Sequence, residues 1–116
     1  MENKSATWQE RFGLTTCPAS EIDPAIPPTA LGVAVIYAPA AAGEKIFLVI
    51  ESRASGLRGQ CAKRLQTAKL AADAPLMVAF KAEILSEASA EAVHAACRQQ
   101  VMLAGELRRE LRPAMR

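Results

Sequence analysis

The stretch "RASGLRGQCAKRLQTAK" carries Arg53, Arg58, Lys63, Arg64 and Lys69, and no acid lies between Glu51 and Asp73. Cations gathered along one helix are the chemistry of phosphate contact, since each one bound to a nucleic-acid backbone releases condensed counterions. On a helical wheel Arg58 and Lys69 border the apolar stripe on one side and Arg64 borders it on the other, while Lys63 points away. A solvated helix whose long side chains run along the rim of the core fits the same pattern. A second basic cluster, Arg108, Arg109, Arg112 and Arg116, is diluted by Glu106 and Glu110.

Glu51 and Ser52 follow an unbroken apolar run, "IFLVI". Their polarity ends a buried strand, and strand-to-helix corners of this kind often hold ligand sites. Gln100 is the odd residue of the last helical segment, because it falls near the centre of an apolar stripe. A buried amide needs partners, so it bonds the sheet locally or faces a small polar pocket. Glu51, Ser52 and Gln100 are therefore the candidate polar pocket, and Arg53, Arg58, Lys63, Arg64 and Lys69 the candidate nucleic-acid face.

No catalytic set accompanies them. The one histidine, His94, sits beside the apolar stripe of the last helix, where a lone imidazole is usually structural. Walker, GxGxxG, HExxH and GxSxG motifs are missing. The three cysteines, Cys17, Cys61 and Cys97, are widely spaced and form no CxxC pair. They read as free thiols of a reducing cytoplasm rather than metal ligands. Cys61 and Cys97 fall on apolar stripes, and Cys17 lies in a segment expected to be exposed. No metal and no cofactor are expected.

The elements that must hold these residues follow from local patterns. Thr7 and Glu10 form a capping-box pair ahead of Trp8 and Phe12, which implies one short helix. "LTTCPASEIDPAIPPTA" holds Pro18, Pro24, Pro27 and Pro28 and should be an extended, irregular strap. "LGVAVIY" and "KIFLVI" read as a β-hairpin, the second strand lacking polar alternation and so placed in the sheet's interior. Ser55 is the expected cap of a helix from Leu57 to Ala72, buried through Leu57, Cys61, Leu65, Ala68 and Ala72. "LMVAFKAEIL" alternates as a third strand, with Leu76, Val78, Phe80, Ala82 and Ile84 on one side. Ser86 or Ser89 opens the last helix, with Val93, Cys97, Val101, Ala104, Leu107 and Leu111 as its buried stripe and an end before Pro113.

The fold class expected is α+β: a small single-domain sandwich, with a short N-terminal helix and then β-β-α-β-α around a three-stranded, largely antiparallel sheet. Residues 1–30 form the helix and Pro-rich arm, 31–112 the domain and 113–116 a tail. A chain of 116 residues with 51% hydrophobic and 22% charged residues supports one core without staples. Aromatics are scarce, being Trp8, Phe12, Tyr37, Phe47 and Phe80, so the core is aliphatic. The net charge of +2 permits an anionic partner without demanding one. The N-terminus has no apolar signal core, and apolar runs fall far below the roughly 18 residues that span a bilayer. A bacterial-type cytoplasmic protein with no membrane partner is expected.

From residue 27 to about 105 the chain resembles the GIY-YIG nuclease domain: a hairpin opened by "GV", "LR" starting a basic helix, then "LMVAFKAEIL" and "EAVHAACRQQVML" in the same order. That chemistry uses two tyrosines, a helix arginine and a metal-binding glutamate. Here Gly32 and Val33 match the first motif, but Ala34 stands at its tyrosine, and Leu48 and Ile50 stand at the tyrosine and glycine of the second. Gln60 occupies the arginine position and Gln99 or Gln100 the glutamate position, an amide that holds a divalent cation poorly. The resemblance implies a relative without catalysis, because each group that phosphodiester cleavage relies on is lost.

Three functions follow in descending order. The first is a non-catalytic module binding nucleic acid, duplex DNA in particular, through the basic helix. The second is a protein-interaction or self-association domain, with Met102 opposite the buried stripe of the last helix. The third is a residual metal-dependent phosphodiesterase centred on Glu51.

Overall fold

Thr7 opens the structure with a reciprocal cap: its Oγ1 accepts from the Glu10 N–H at 3.2 Å and the Glu10 carboxylate accepts from the Thr7 N–H at 3.0 Å. The cap starts α1 (Trp8–Arg11). The computed structural model describes residues 7–39, 44–52, 56–71, 75–86 and 89–114. After α1 come β1 (Thr15–Pro18), a 3-10 turn (Ala19–Glu21), α2 (Ile22–Ala25), β2 (Leu31–Ala38) and β3 (Lys45–Glu51). Then follow α3 (Leu57–Ala71), β4 (Met77–Glu83) and α4 (Ala90–Leu111). The class is α+β.

The sheet has four strands in the order β1-β4-β2-β3, every neighbouring pair antiparallel. The expected count was three, and the extra strand comes from the Pro-rich arm. Thr15–Pro18 pairs with β4 from Phe80 to Met77, so the arm is not irregular throughout. Thr15 and Thr16 favour the extended backbone. The Ala19 N–H bonds the Leu76 carbonyl at 2.9 Å, so by alternation the Pro18 nitrogen faces away from the ladder, where its missing N–H costs nothing. Residues on both sides of position 31 thus share one sheet.

A second expectation also fails. β3 does not lie inside the sheet but at its edge, and β2 holds the interior place between β3 and β4. An unbroken apolar strand reports that both faces are covered, not that both edges are paired. Helices cover both faces here. Ala34, Ile36, Leu48, Ile50, Val78 and Phe80 pack with Leu57, Cys61, Leu65 and Ala68 of α3 and with Ile22 and Ile26. On the opposite face Val33, Val35, Tyr37, Val49 and Ala79 pack with Ala104 and Leu107 of α4, and Trp8 and Phe12 close that core. The Trp8 ring meets Tyr37 edge-on at 5.2 Å.

α3 buries the stripe its spacing predicts; Ala72 and the expected cap Ser55 lie outside the described residues. Ser89 caps α4, accepting from the Ala92 N–H at 3.1 Å. That helix is rolled relative to expectation. Its buried residues are Ala96, Gln100, Ala104 and Leu107, whereas Val101 is 50% exposed and Val93, Cys97 and Leu111 are half-buried. The roll follows from Gln100, whose amide is bonded inside the core and so takes a place that apolar counting assigns to Val101 and Cys97. On β4 the expected apolar side holds through Phe80, Ala82 is half-buried, and Ile84 lies past the strand end at 60% exposure.

Candidate nucleic-acid interface and polar junction

The outward side of α3 is basic, but less so than the count of cations suggests. Arg53 lies outside the described residues. Arg58 turns back toward the arm: its Nε donates to the Ile26 carbonyl at 2.8 Å, its second nitrogen to the Asp23 carbonyl, and the Asp23 carboxylate stands 3.9 Å away. That guanidinium stitches α2 to α3 and is spent there. Lys63 and Lys69 are exposed and Arg64 is half-buried. The lysines stand six positions apart, or about 9 Å along the axis at 1.5 Å per residue. The exposed cations of this helix are therefore Lys63 and Lys69, with Arg64 beside them.

Glu51, Ser52 and Gln100 do converge. Ser52 is fully buried and its hydroxyl accepts from the Gly32 N–H at 2.9 Å while donating to Gln100 Oε1 at 2.8 Å. The Ser52 N–H in turn bonds the Gly32 carbonyl at 2.9 Å. One hydroxyl thus ties the end of β3 to the start of β2 and to the middle of α4. Because the hydroxyl hydrogen is directed at an amide oxygen, which is no general base, Ser52 is not poised as a nucleophile. Its burial places a hydrogen-bonded polar junction inside an otherwise apolar core.

Two members of this junction escaped the sequence reading. Gly32 is required by close approach: a Cβ there would fall 1.9 Å from the Lys81 carbonyl oxygen. Arg108 reaches across to β3, donating to the Val49 carbonyl at 3.0 Å, with a second nitrogen 3.9 Å from the Glu51 carboxylate. Its position in a run of C-terminal charges gave no local sign of this, since the partners lie on another element. The Glu51 side chain is only 11% exposed, so its charge is offset by Arg108 rather than presented to solvent.

Among the described residues no group of three or more His, Cys, Asp or Glu side chains could hold a metal ion. His94 is exposed on α4. Cys17, expected in an exposed segment, is buried on the inward side of β1 because Thr15–Pro18 forms a strand. Burial, and then the nearby Glu21 charge, pushes its thiol up. Burial pushes Cys61 up to about 12, so neither thiol is an activated nucleophile. Ala34, Leu48 and Ile50, which the resemblance aligns with two tyrosines and a glycine, are buried in the α3-side core. Gln60 is half-buried and Gln99 exposed.

A groove of about 610 Å³ runs beside this junction, between β4 and α4. Val33, Ala82, Met102 and Leu103 supply its apolar lining, Gln100 its inner end, and Lys81, Glu83 and Glu106 its charged rim. Met102 is 72% exposed although it lines this groove. No helix among the described residues is long and apolar enough to cross a membrane. Comparison with family models, curated proteins and solved structures found no match to the chain.

Proposed function

We propose that this domain is a non-catalytic module that binds the backbone of duplex DNA through α3. The observation that carries the reading is an acid-free helix whose Lys63 and Lys69 are exposed, with Arg64 beside them. Two or three phosphate contacts would give a slope of log affinity against log salt of about −2 to −3, a weak, sequence-tolerant mode of binding. The order β2-β3-α3-β4-α4 agrees with the GIY-YIG resemblance and supports a relation in which cleavage has been lost. The free thiols of Cys17, Cys61 and Cys97 suit a reducing compartment such as the cytoplasm.

Fluorescence anisotropy of labelled duplex DNA across a salt series tests this. The expected result is salt-sensitive binding that Lys63→Ala/Lys69→Ala weakens by a similar factor on unrelated sequences. Binding indifferent to salt, or unchanged in that variant, overturns it. A second reading, docking of a protein segment in the groove beside Met102, is favoured by that side chain's exposure over an apolar lining. A residual phosphodiesterase ranks last, because Glu51 is turned to Arg108. Magnesium- or manganese-dependent turnover abolished by Glu51→Gln would revive it.

A further inference from the structure

One end of the domain collects cations from three elements that the sequence keeps apart. β3 starts there, with Lys45 opposite Ala38 at the end of β2. α3 begins at the far end, where the Leu57 N–H bonds the Ala30 carbonyl at 2.9 Å. It runs back along the sheet, so its last turn carries Lys69 to the end where β3 starts. α4 finishes there too. Beyond its cap the Ala114 N–H bonds the Ile46 carbonyl at 3.0 Å, so Arg112, two residues earlier, lies by the start of β3. Lys45, Lys69 and Arg112 are all exposed, and none of them forms an ion pair among the described residues.

Arg58 and Arg108 are turned to backbone carbonyls, whereas these charges are held without being neutralised. The Lys45 ammonium stands 5.1 Å from the centre of the Phe47 ring, which steadies a cation and leaves its N–H donors open. Arg112 adopts the left-handed conformation with φ 49°, the one non-glycine residue with positive φ among those described. Helices commonly place glycine at such a turn, and a costly backbone of this kind recurs where a side chain grips a ligand. The nearby carboxylates are committed to α1: Glu44 accepts from Trp8 at 2.6 Å and from Gln9 at 3.0 Å, and Glu110 meets Arg11. We infer that Lys45 and Arg112 join Lys69 as phosphate contacts, so that the duplex backbone lies across this end of the domain and not along α3 alone. The inference rests on the proposed DNA binding and extends it to β3 and α4. Two more contacts add about −2 to the salt slope.

Anisotropy of labelled duplex DNA across a salt series tests it on the full chain, on Lys45→Met, on Arg112→Gly and on the two combined, beside Lys63→Ala/Lys69→Ala. Methionine keeps the contact with Phe47 without the charge, and glycine relieves the left-handed turn. The combined variant should therefore unfold in urea no earlier than the full chain, yet bind on the order of tenfold more weakly at low salt, with a slope shallower by about 2. If it fails to fold by circular dichroism, the two single changes decide, each expected to lower the slope by about 1. Undiminished binding by the combined variant, where the lysine pair still weakens it, overturns this inference and leaves α3 as the face. A full chain without salt-sensitive binding overturns both. Arg112→Gly that binds as the full chain does but unfolds earlier would make the arginine a charge on the helix end, and overturns the inference for that residue.

Discussion

Ser52 and Gln100 meet at 2.8 Å inside the apolar core, the hydroxyl donating and the amide oxygen accepting. The bond gives α4 its rotation. With Gln100 directed at the end of β3, Ala96, Ala104 and Leu107 face the sheet, Val101 moves to one flank, and Leu103 and Met102 turn toward the groove by β4. It also joins residues that belong to three separate elements, because Ser52 accepts from Gly32 at the same time.

Removing either partner should therefore cost more than an average hydrogen bond. Ser52→Ala leaves the Gly32 N–H and Gln100 Oε1 without their shared oxygen, and each buried polar group left unsatisfied costs about 1–3 kcal/mol. Gln100→Leu alone should destabilise by a similar amount, while Ser52→Ala/Gln100→Leu should cost less than the sum of the two. Urea unfolding across the full double-mutant cycle measures the coupling. An additive result would mean that the bond does not act as a unit.

Gly32→Ala tests the other strand of the junction. Its Cβ would fall 1.9 Å from the carbonyl oxygen of Lys81, and the nearest atoms are backbone. No rotamer relieves such a contact, so β2 and β4 must separate locally. A loss of about 3 kcal/mol, at the upper end of ordinary overpacking, is expected in thermal or urea unfolding. A substitution that is neutral would show that the two strands are farther apart in solution.

How far the chain could be read in advance depended on where each signal lived. The Thr7–Glu10 cap, the stripe of α3 and the burial of Gln100 are local, set by spacing within one element, and all were legible. β1 was not, because its strand signal occupies only Thr15 to Cys17 and is overwritten by the prolines around it. The edge position of β3 was misread because Ile46 to Ile50 report covered faces and carry no information about neighbours in the ladder. Arg58 and Arg108 counted as charges in the sequence, yet both are spent on backbone carbonyls of distant residues, Ile26 and Val49. Partners of that kind become visible only when the elements are in place.

The thiols give a pH dependence. Folding holds Cys61 neutral up to about 12, against an ordinary value of 9.0. Between those values the unfolded chain loses a proton that the folded chain keeps. Stability from this group is thus complete below pH 9 and falls as pH rises toward 12. Cys61→Ala should flatten that alkaline decline in urea midpoints, apart from its constant packing cost. Under native conditions Cys97, half-buried, should react with a thiol reagent well before Cys17 and Cys61. Equal rates for the three would contradict the burial of the two.

Arg58 and the lysine pair should separate stability from binding. Arg58→Ala removes hydrogen bonds to the arm, and with the side chain 30% exposed the expected loss is about 1 kcal/mol. DNA affinity should change little, since that guanidinium already faces the Ile26 and Asp23 carbonyls. Lys63→Ala/Lys69→Ala should do the reverse: unfolding midpoints hold, and affinity drops with the salt slope shallower by about 2. Paired urea titrations and anisotropy series on both variants give the two-way comparison. If Arg58→Ala were to weaken binding as strongly as the lysine pair at unchanged stability, Arg58 would belong to the interface and not to the stitch between α2 and α3.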